Sequence, residues 1–141
     1  MFDDLPIVTR SLQIVAGGML ATGLLFCIKR FNTRIKLRIA ILALVIAAVV
    51  YVLFALLTRN QLFITIELVG LMFFLLLVWM GYQYSFWFIA MGWLLHVFWD
   101  LGLHPAQTAP YIPQWYTWLC VGFDIIIALY LVTILVRDTE K

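Results

Sequence analysis

The chain has 141 residues, of which 66% are hydrophobic and 11% are charged, and its formal net charge is +2. Soluble domains are about 45–50% apolar and about 25% charged, so this composition excludes a water-soluble globular protein. A disordered chain, a nucleic-acid-binding module and a secreted disulfide scaffold are also excluded, because each needs a density of charge or cysteine that is absent here. We therefore expect an integral membrane protein in which residues 1–141 form a single all-α transmembrane domain.

Five apolar segments follow one another along the chain, and we expect each to cross the bilayer as a helix, because a membrane span needs about 20 apolar residues. The first is too long, and flanked in the wrong way, to be a cleaved signal peptide. The second contains no acidic or basic residue, so we expect it at the periphery of the bundle or in an oligomer contact. The predicted spans cover residues 6–28, 39–57, 62–80, 86–103 and 117–136.

The segments between the spans are polar or rich in proline. We expect a basic loop from Lys29 to Arg38. Pro105 is expected to end the fourth span, because the residue before a proline is pushed out of the helical region. Three of the four prolines fall between His104 and Tyr116, which predicts a stiff loop before the fifth span.

Positive charge predicts which end of the bundle faces the cytoplasm. An odd number of spans places the termini on opposite sides of the membrane. We expect the acidic start, with Asp3 and Asp4, outside and the C-terminus inside, in the inner (plasma) membrane of a bacterium. Seven of the nine basic residues then lie on the cytoplasmic side: Lys29, Arg30, Arg34, Lys36, Arg38, Arg137 and Lys141.

Ionisable residues inside spans are rare, and by default they indicate a functional site. The chain has five such residues. At about 1.5 Å per helical residue, each of the five lies roughly 6–12 Å inside the outer end of its predicted span. The inner half of every span is free of charge, which favours an outward-facing pocket over a channel. We expect spans one, three, four and five to build this layer, which consists of Arg10, Glu67, His96, Asp100 and Asp124, with His104 at the outer mouth.

His96, Asp100 and His104 are spaced four residues apart, so they share one helix face. Imidazole and carboxylate are ligands for first-row metals. The spacing therefore predicts a divalent metal site with zinc, copper or iron, in which His104 at the helix end is accessible to solvent. A protonatable pocket without metal is the alternative, because burial raises the pKa of carboxyl groups.

The other ionisable residues of the layer have supporting roles in this hypothesis. Glu67 and Asp124 are candidate catalytic carboxylates, with Glu67 the candidate general base; either of them could also complete the set of metal ligands or hold an imidazole in place. Arg10 is expected to form a structural ion pair with Asp124 or Glu67. Cys120 is expected to be a small packing residue, and Gly17 and Gly92 are expected at close helix contacts.

Two further classes of function stay open beside a metalloenzyme that acts on a hydrophobic substrate. The chain contains no serine-hydrolase, zincin, dithiol or phosphate-loop motif, so no reaction type is predicted. A non-enzymatic protein that binds or transports an amphipathic small molecule is one alternative. A subunit or assembly factor of a larger membrane complex is the other. Membrane lipid and a second copy of the chain are expected partners, and nucleic acid is not.

Overall fold

The computed structural model describes residues 7–104 and 109–139 and is all-helical, as the sequence predicts. Four of the helices are long and apolar enough to cross a membrane. The fourth in chain order has 17 residues, or about 25 Å, which is slightly less than the hydrocarbon core of about 30 Å. The five helices are α1 (Ile7–Ile28), α2 (Thr33–Thr58), α3 (Gln61–Gln83), α4 (Trp87–Leu103) and α5 (Gln114–Thr139).

The predicted basic loop is shorter than expected, because α2 begins at Thr33. The side chain of Asn32 caps this helix by accepting a hydrogen bond from the Ile35 N–H at 3.0 Å, and such a cap satisfies one of the free amides of the first turn. Most of the basic residues of this segment therefore lie on the first turns of α2. Asp3, Asp4, Pro105 and Lys141, which entered the topology and loop predictions, lie outside the described residues.

Arg59 and Asn60 connect α2 to α3, and Arg59 adopts a left-handed conformation with φ 56°. An L-residue in this region costs about 1–2 kcal/mol, whereas glycine adopts it without strain. We expect Arg59→Gly to raise the free energy of unfolding by about 1 kcal/mol in detergent micelles. Arg59→Ala is the control, since it removes the side chain and keeps the strain. Equal stability of these two variants would contradict the prediction.

The helices pack in the spatial order α1, α5, α4, α3, α2, and α2 also contacts α4 and α5. The expectation that the second span is peripheral is wrong. In the 18-residue apolar window of each helix, 39% of α2 is buried but only 17% of α1. Ala40, Leu44, Ala48 and Ala55 line the buried face of α2, and small residues at this spacing allow close packing without any charge.

The contact between α1 and α5 is made backbone to backbone. A Cβ atom at Gly17 would collide with the carbonyl oxygen of Leu119, and one at Gly122 would collide with the carbonyl oxygen of Ile14. The predicted close contact at Gly17 is therefore confirmed. Gly92 likewise faces Leu44 and Leu77. Glycine at these positions fixes how near α1 lies to α5, and hence where Arg10 lies relative to the polar residues of α4 and α5.

Candidate metal centre

Five ionisable side chains from three helices and one helix end converge inside the bundle. Glu67 lies on α3, His96 and Asp100 on α4, Asp124 on α5, and His104 caps the C-terminal end of α4. Each of the five is at most 2% exposed. The structure thus brings together all the predicted site residues except Arg10 as one buried group, which we call the polar network.

The deeper half of the network is centred on His96. Its Nδ1 lies 2.7 Å from Asp124 Oδ2 and 3.7 Å from Asp100 Oδ2. The first distance is a hydrogen bond across the α4–α5 interface, and the second joins residues one turn apart on α4. Both carboxylates therefore face the same ring nitrogen of His96, and its Nε2 has no hydrogen-bond partner among the described residues.

The outer half is centred on His104, whose two ring nitrogens face different carboxylates. Its Nε2 lies 2.7 Å from Glu67 Oε1, and its Nδ1 lies 3.5 Å from Asp100 Oδ1. Tyr111, in the segment before α5, donates a hydrogen bond of 2.6 Å to the same Glu67 oxygen. Carboxylates and imidazoles thus alternate along the network, in the order Asp124, His96, Asp100, His104 and Glu67.

His104 is buried, and the expectation that it is accessible to solvent is wrong. Its ring packs on that of Tyr51, with the centroids 4.1 Å apart. The side-chain amide of Gln114 donates to the His104 carbonyl oxygen at 3.5 Å, which brings the start of α5 over this helix end. Tertiary contacts of this kind leave no trace in the sequence around a helix terminus.

Tyr51 is a member of the site that the sequence analysis missed. It is 1% exposed, lies in the C-terminal half of α2, and packs on both imidazoles. Its hydroxyl lies near the Asp100 carboxylate and the Cys120 thiol and has no hydrogen-bond partner among the described residues. A tyrosine in mid-span needs a polar partner for its hydroxyl, and this was the available sign that the second span faces the site.

Several buried polar atoms of the network lack a hydrogen-bond partner among the described residues. They are both carboxylate oxygens of Asp100, Nε2 of His96 and Nδ1 of His104. An unsatisfied buried polar group costs about 1–3 kcal/mol, and more if it is charged. In native proteins such groups are explained by a bound water, an ion or a catalytic role. Asp100 is therefore the residue at which a ligand is most strongly indicated.

Three residues of the network are close enough to hold one ion. His96, Asp100 and Asp124 each offer a ligand atom, and these atoms lie within 4.8 Å of one another. The predicted ligand set was His96, Asp100 and His104. The structure brings Asp124 into the compact group, while His104 lies on the other side of Asp100. We call His96, Asp100 and Asp124 the metal trio.

Arg10 lies on the wall of a cavity of about 190 Å³ that Asp100 and His104 also line. Its guanidinium carbon lies 5.5 Å from the centroid of the Trp118 ring, a distance within the cation–π range. The predicted ion pair of Arg10 with Asp124 or Glu67 stays a prediction. Cys120 is buried beside Tyr116 and Tyr51.

Tyr111 anchors the outer end of the network. Burial, together with the hydrogen bond to Glu67, raises the pKa of its phenol well above the usual value of about 10. We expect Tyr111→Phe to lower the free energy of unfolding by about 1.5–3 kcal/mol, the range for a hydrogen bond to a charged group. Because the folded-state pKa is raised, this difference should be constant below pH ~10 and shrink above it.

The matched control for this prediction is Tyr82→Phe on α3, which removes the hydroxyl of a ring that is 55% exposed. Unfolding of the three proteins in micelles between pH 7 and 11 measures the effect. A Tyr111→Phe protein that is as stable as the Tyr82→Phe protein would show that the hydrogen bond to Glu67 contributes nothing.

Comparisons with known proteins give a family and no activity. No curated protein and no solved structure matches the chain. The profile of a family of unknown function, DUF6010, matches residues 12–136. This match spans nearly the whole chain and includes every residue of the polar network. The chain therefore belongs to the DUF6010 family.

Proposed function

We propose that the chain is an integral membrane protein that binds a divalent transition metal at the metal trio, in a site reached from the outer face. The observation that carries this proposal is Asp100, a carboxylate 1% exposed whose two oxygens have no hydrogen-bond partner among the described residues. The nearest imidazole nitrogens lie 3.5 and 3.7 Å from these oxygens, too far for strong charge-assisted hydrogen bonds, and a buried charge persists only if it is well paired or coordinates a metal. On this proposal the metal supports chemistry on a hydrophobic or amphipathic substrate.

The membrane assignment is supported by the surface as well as by helix length. Large apolar side chains are exposed along every helix, for example Leu20, Leu53, Met72, Phe98 and Leu129. We propose that all five helices cross the bilayer, with α4 packed mainly against α3 and α5, and that the basic start of α2 lies on the cytoplasmic side. The polar network then lies in the outer half of a plasma membrane, the bacterial inner membrane.

Charge balance favours a cation in the network. With neutral imidazoles, Glu67, Asp100 and Asp124 carry three negative charges inside an apolar bundle. Like charges this close cannot all be maintained without compensation. A divalent ion at the metal trio would neutralise two of them. The donor set of one imidazole and two carboxylates suits zinc, iron or manganese better than copper(I), which prefers thiolate or thioether sulfur.

Glu67 and His104 would complete the site from the outer side. Glu67 accepts hydrogen bonds from both His104 and Tyr111, which suits a carboxylate that fixes the orientation of an imidazole. The Nδ1 of His104 faces Asp100 Oδ1 at 3.5 Å, so His104 would hold this carboxylate from the side away from His96. We propose that Asp124 acts as a ligand and that Glu67, if the site is catalytic, accepts a proton.

One observation favours the alternative of a pocket without metal. Each imidazole faces two carboxylates, so protonation of His96 and His104 would also reduce the negative charge of the network. Such a site would suit a binding or transport protein for a cationic amphiphile, or a subunit of a larger complex. Metal affinity separates the two cases, because a protonated imidazole cannot ligate a metal.

The test is a titration of metal-stripped protein in detergent with Zn²⁺, Mn²⁺ and Fe²⁺ under anaerobic conditions. Wild-type protein should bind one ion per chain, and Asp124→Asn should weaken that affinity by at least about 10–100-fold. Tyr82→Phe, which lies outside the network, is the control and should bind normally. Wild-type protein that binds none of these ions at one per chain would refute the proposal.

A further inference from the structure

The cavity beside Asp100 has the features of a ligand subsite. Its volume of about 190 Å³ equals that of about six water molecules at ~30 Å³ each. It is lined by residues from α1, from the C-terminal end of α4 and from the first turn of α5. Six of these residues carry the argument: Arg10, Asp100, His104, Gln114, Thr117 and Trp118.

Several residues that line the cavity with Asp100 carry hydrogen-bond donors. The Thr117 hydroxyl belongs to a residue that is 3% exposed, and its oxygen has no hydrogen-bond partner among the described residues. The indole N–H of Trp118 is likewise buried without such a partner. The Gln114 side chain contributes a further amide, and Arg10 brings a positive charge to the same cavity.

The N-terminal end of α5 also favours an anionic ligand in the cavity. Gln114 and Thr117 belong to the first turn of α5, where the helix dipole favours negative charge. A cationic ligand would be repelled by both the dipole and Arg10. An oxyanion would be attracted by both, and its oxygens would match the buried donors.

We propose that this cavity binds the carboxylate group of a small amphipathic substrate, beside an ion held by the metal trio. The inference rests on the proposed function, because Asp100 lines the cavity and without a cation its charge would repel the ligand. With the ion in place, the carboxylate lies between two positive centres, Arg10 and the metal. The apolar part of the substrate contacts Leu101 and the Trp118 ring.

Butyrate is a suitable probe because it has six non-hydrogen atoms, and butyramide and butylammonium are its neutral and cationic counterparts. Binding to detergent-solubilised protein is measured by saturation-transfer NMR, with and without bound Zn²⁺. Metal-loaded wild type should bind butyrate at least about 10-fold more tightly than either counterpart. Thr117→Val and Arg10→Gln should each weaken butyrate about 10-fold, as expected for losing a hydrogen bond to a charged group.

The matched control is Thr133→Val on the same helix, because the Thr133 hydroxyl is exposed and bonds to the Leu129 carbonyl oxygen. It should bind butyrate like the wild type. The metal content of every protein is measured in the same samples. Two results would overturn this inference alone, provided that metal is bound. One is equal butyrate affinity in Thr117→Val and wild type, and the other is tighter binding of butylammonium than of butyrate. A wild type that takes up no metal would overturn the proposed function and the inference with it.

Discussion

Asp100→Asn is expected to abolish the dependence of the protein's stability on metal. A ligand that binds only the folded state stabilises it by about 2.7 kcal/mol at a free concentration 100 times its Kd. The substitution keeps the shape of the side chain and removes the charge that the ion neutralises. The free energy of unfolding is measured in micelles with Zn²⁺ and again with excess chelator. We expect it to be higher with Zn²⁺ for wild type and to be the same under both conditions for Asp100→Asn.

Asn is chosen because it fits the same volume, so the metal-free variant should remain folded and give a cooperative transition. Tyr82→Phe is the matched control, since it lies on α3 outside the network and should keep the full metal-dependent difference. An Asp100→Asn protein that is stabilised by Zn²⁺ as much as wild type would show that the ion binds elsewhere.

Gly122→Ala is expected to lower the free energy of unfolding by about 3 kcal/mol, the upper part of the usual cost of overpacking. The added methyl group would meet the carbonyl oxygen of Ile14, and backbone cannot move aside as a flexible side chain can. Because α1 packs mainly against α5, its displacement would also move Arg10 away from the cavity. Butyrate affinity should therefore fall together with stability.

Gly23→Ala is the control for this prediction. Gly23 lies on α1, and a Cβ atom there would have no described atom within 4 Å. Its stability should match that of wild type within about 0.5 kcal/mol. Equal stability of Gly122→Ala and Gly23→Ala, measured by reversible unfolding in mixed micelles, would show that α1 and α5 are not in close contact.

The helices could be predicted from the sequence because long apolar runs bounded by polar residues leave few other structures. How much of α1 and of α2 is buried could not be predicted in this way. Lipid is as apolar as a protein interior, so hydrophobicity does not separate a lipid-facing helix from a central one inside a membrane. The absence of charge from residues 39–57 suggests lipid exposure, whereas the small residues of α2 and Tyr51 show that this helix packs against the site.

The convergence of Glu67, His96, Asp100 and Asp124 could be predicted because polar side chains in an apolar bundle must find one another. Which three form the compact group could not be predicted. That depends on the rotation of α5 about its axis, which the contact of Gly122 with Ile14 helps to set. The burial of His104 depends on contacts from α2, α3 and the start of α5, all distant in the chain.

On the proposed function, the polar network holds a metal ion. The most direct test is elemental analysis of protein purified gently and without chelator, beside a variant in which His96 and Asp100 are both replaced by alanine. We expect one transition-metal ion per chain in the wild type and none in the variant. No metal in the wild type, even after reconstitution, would contradict the claim and favour a protonatable pocket formed by the same residues.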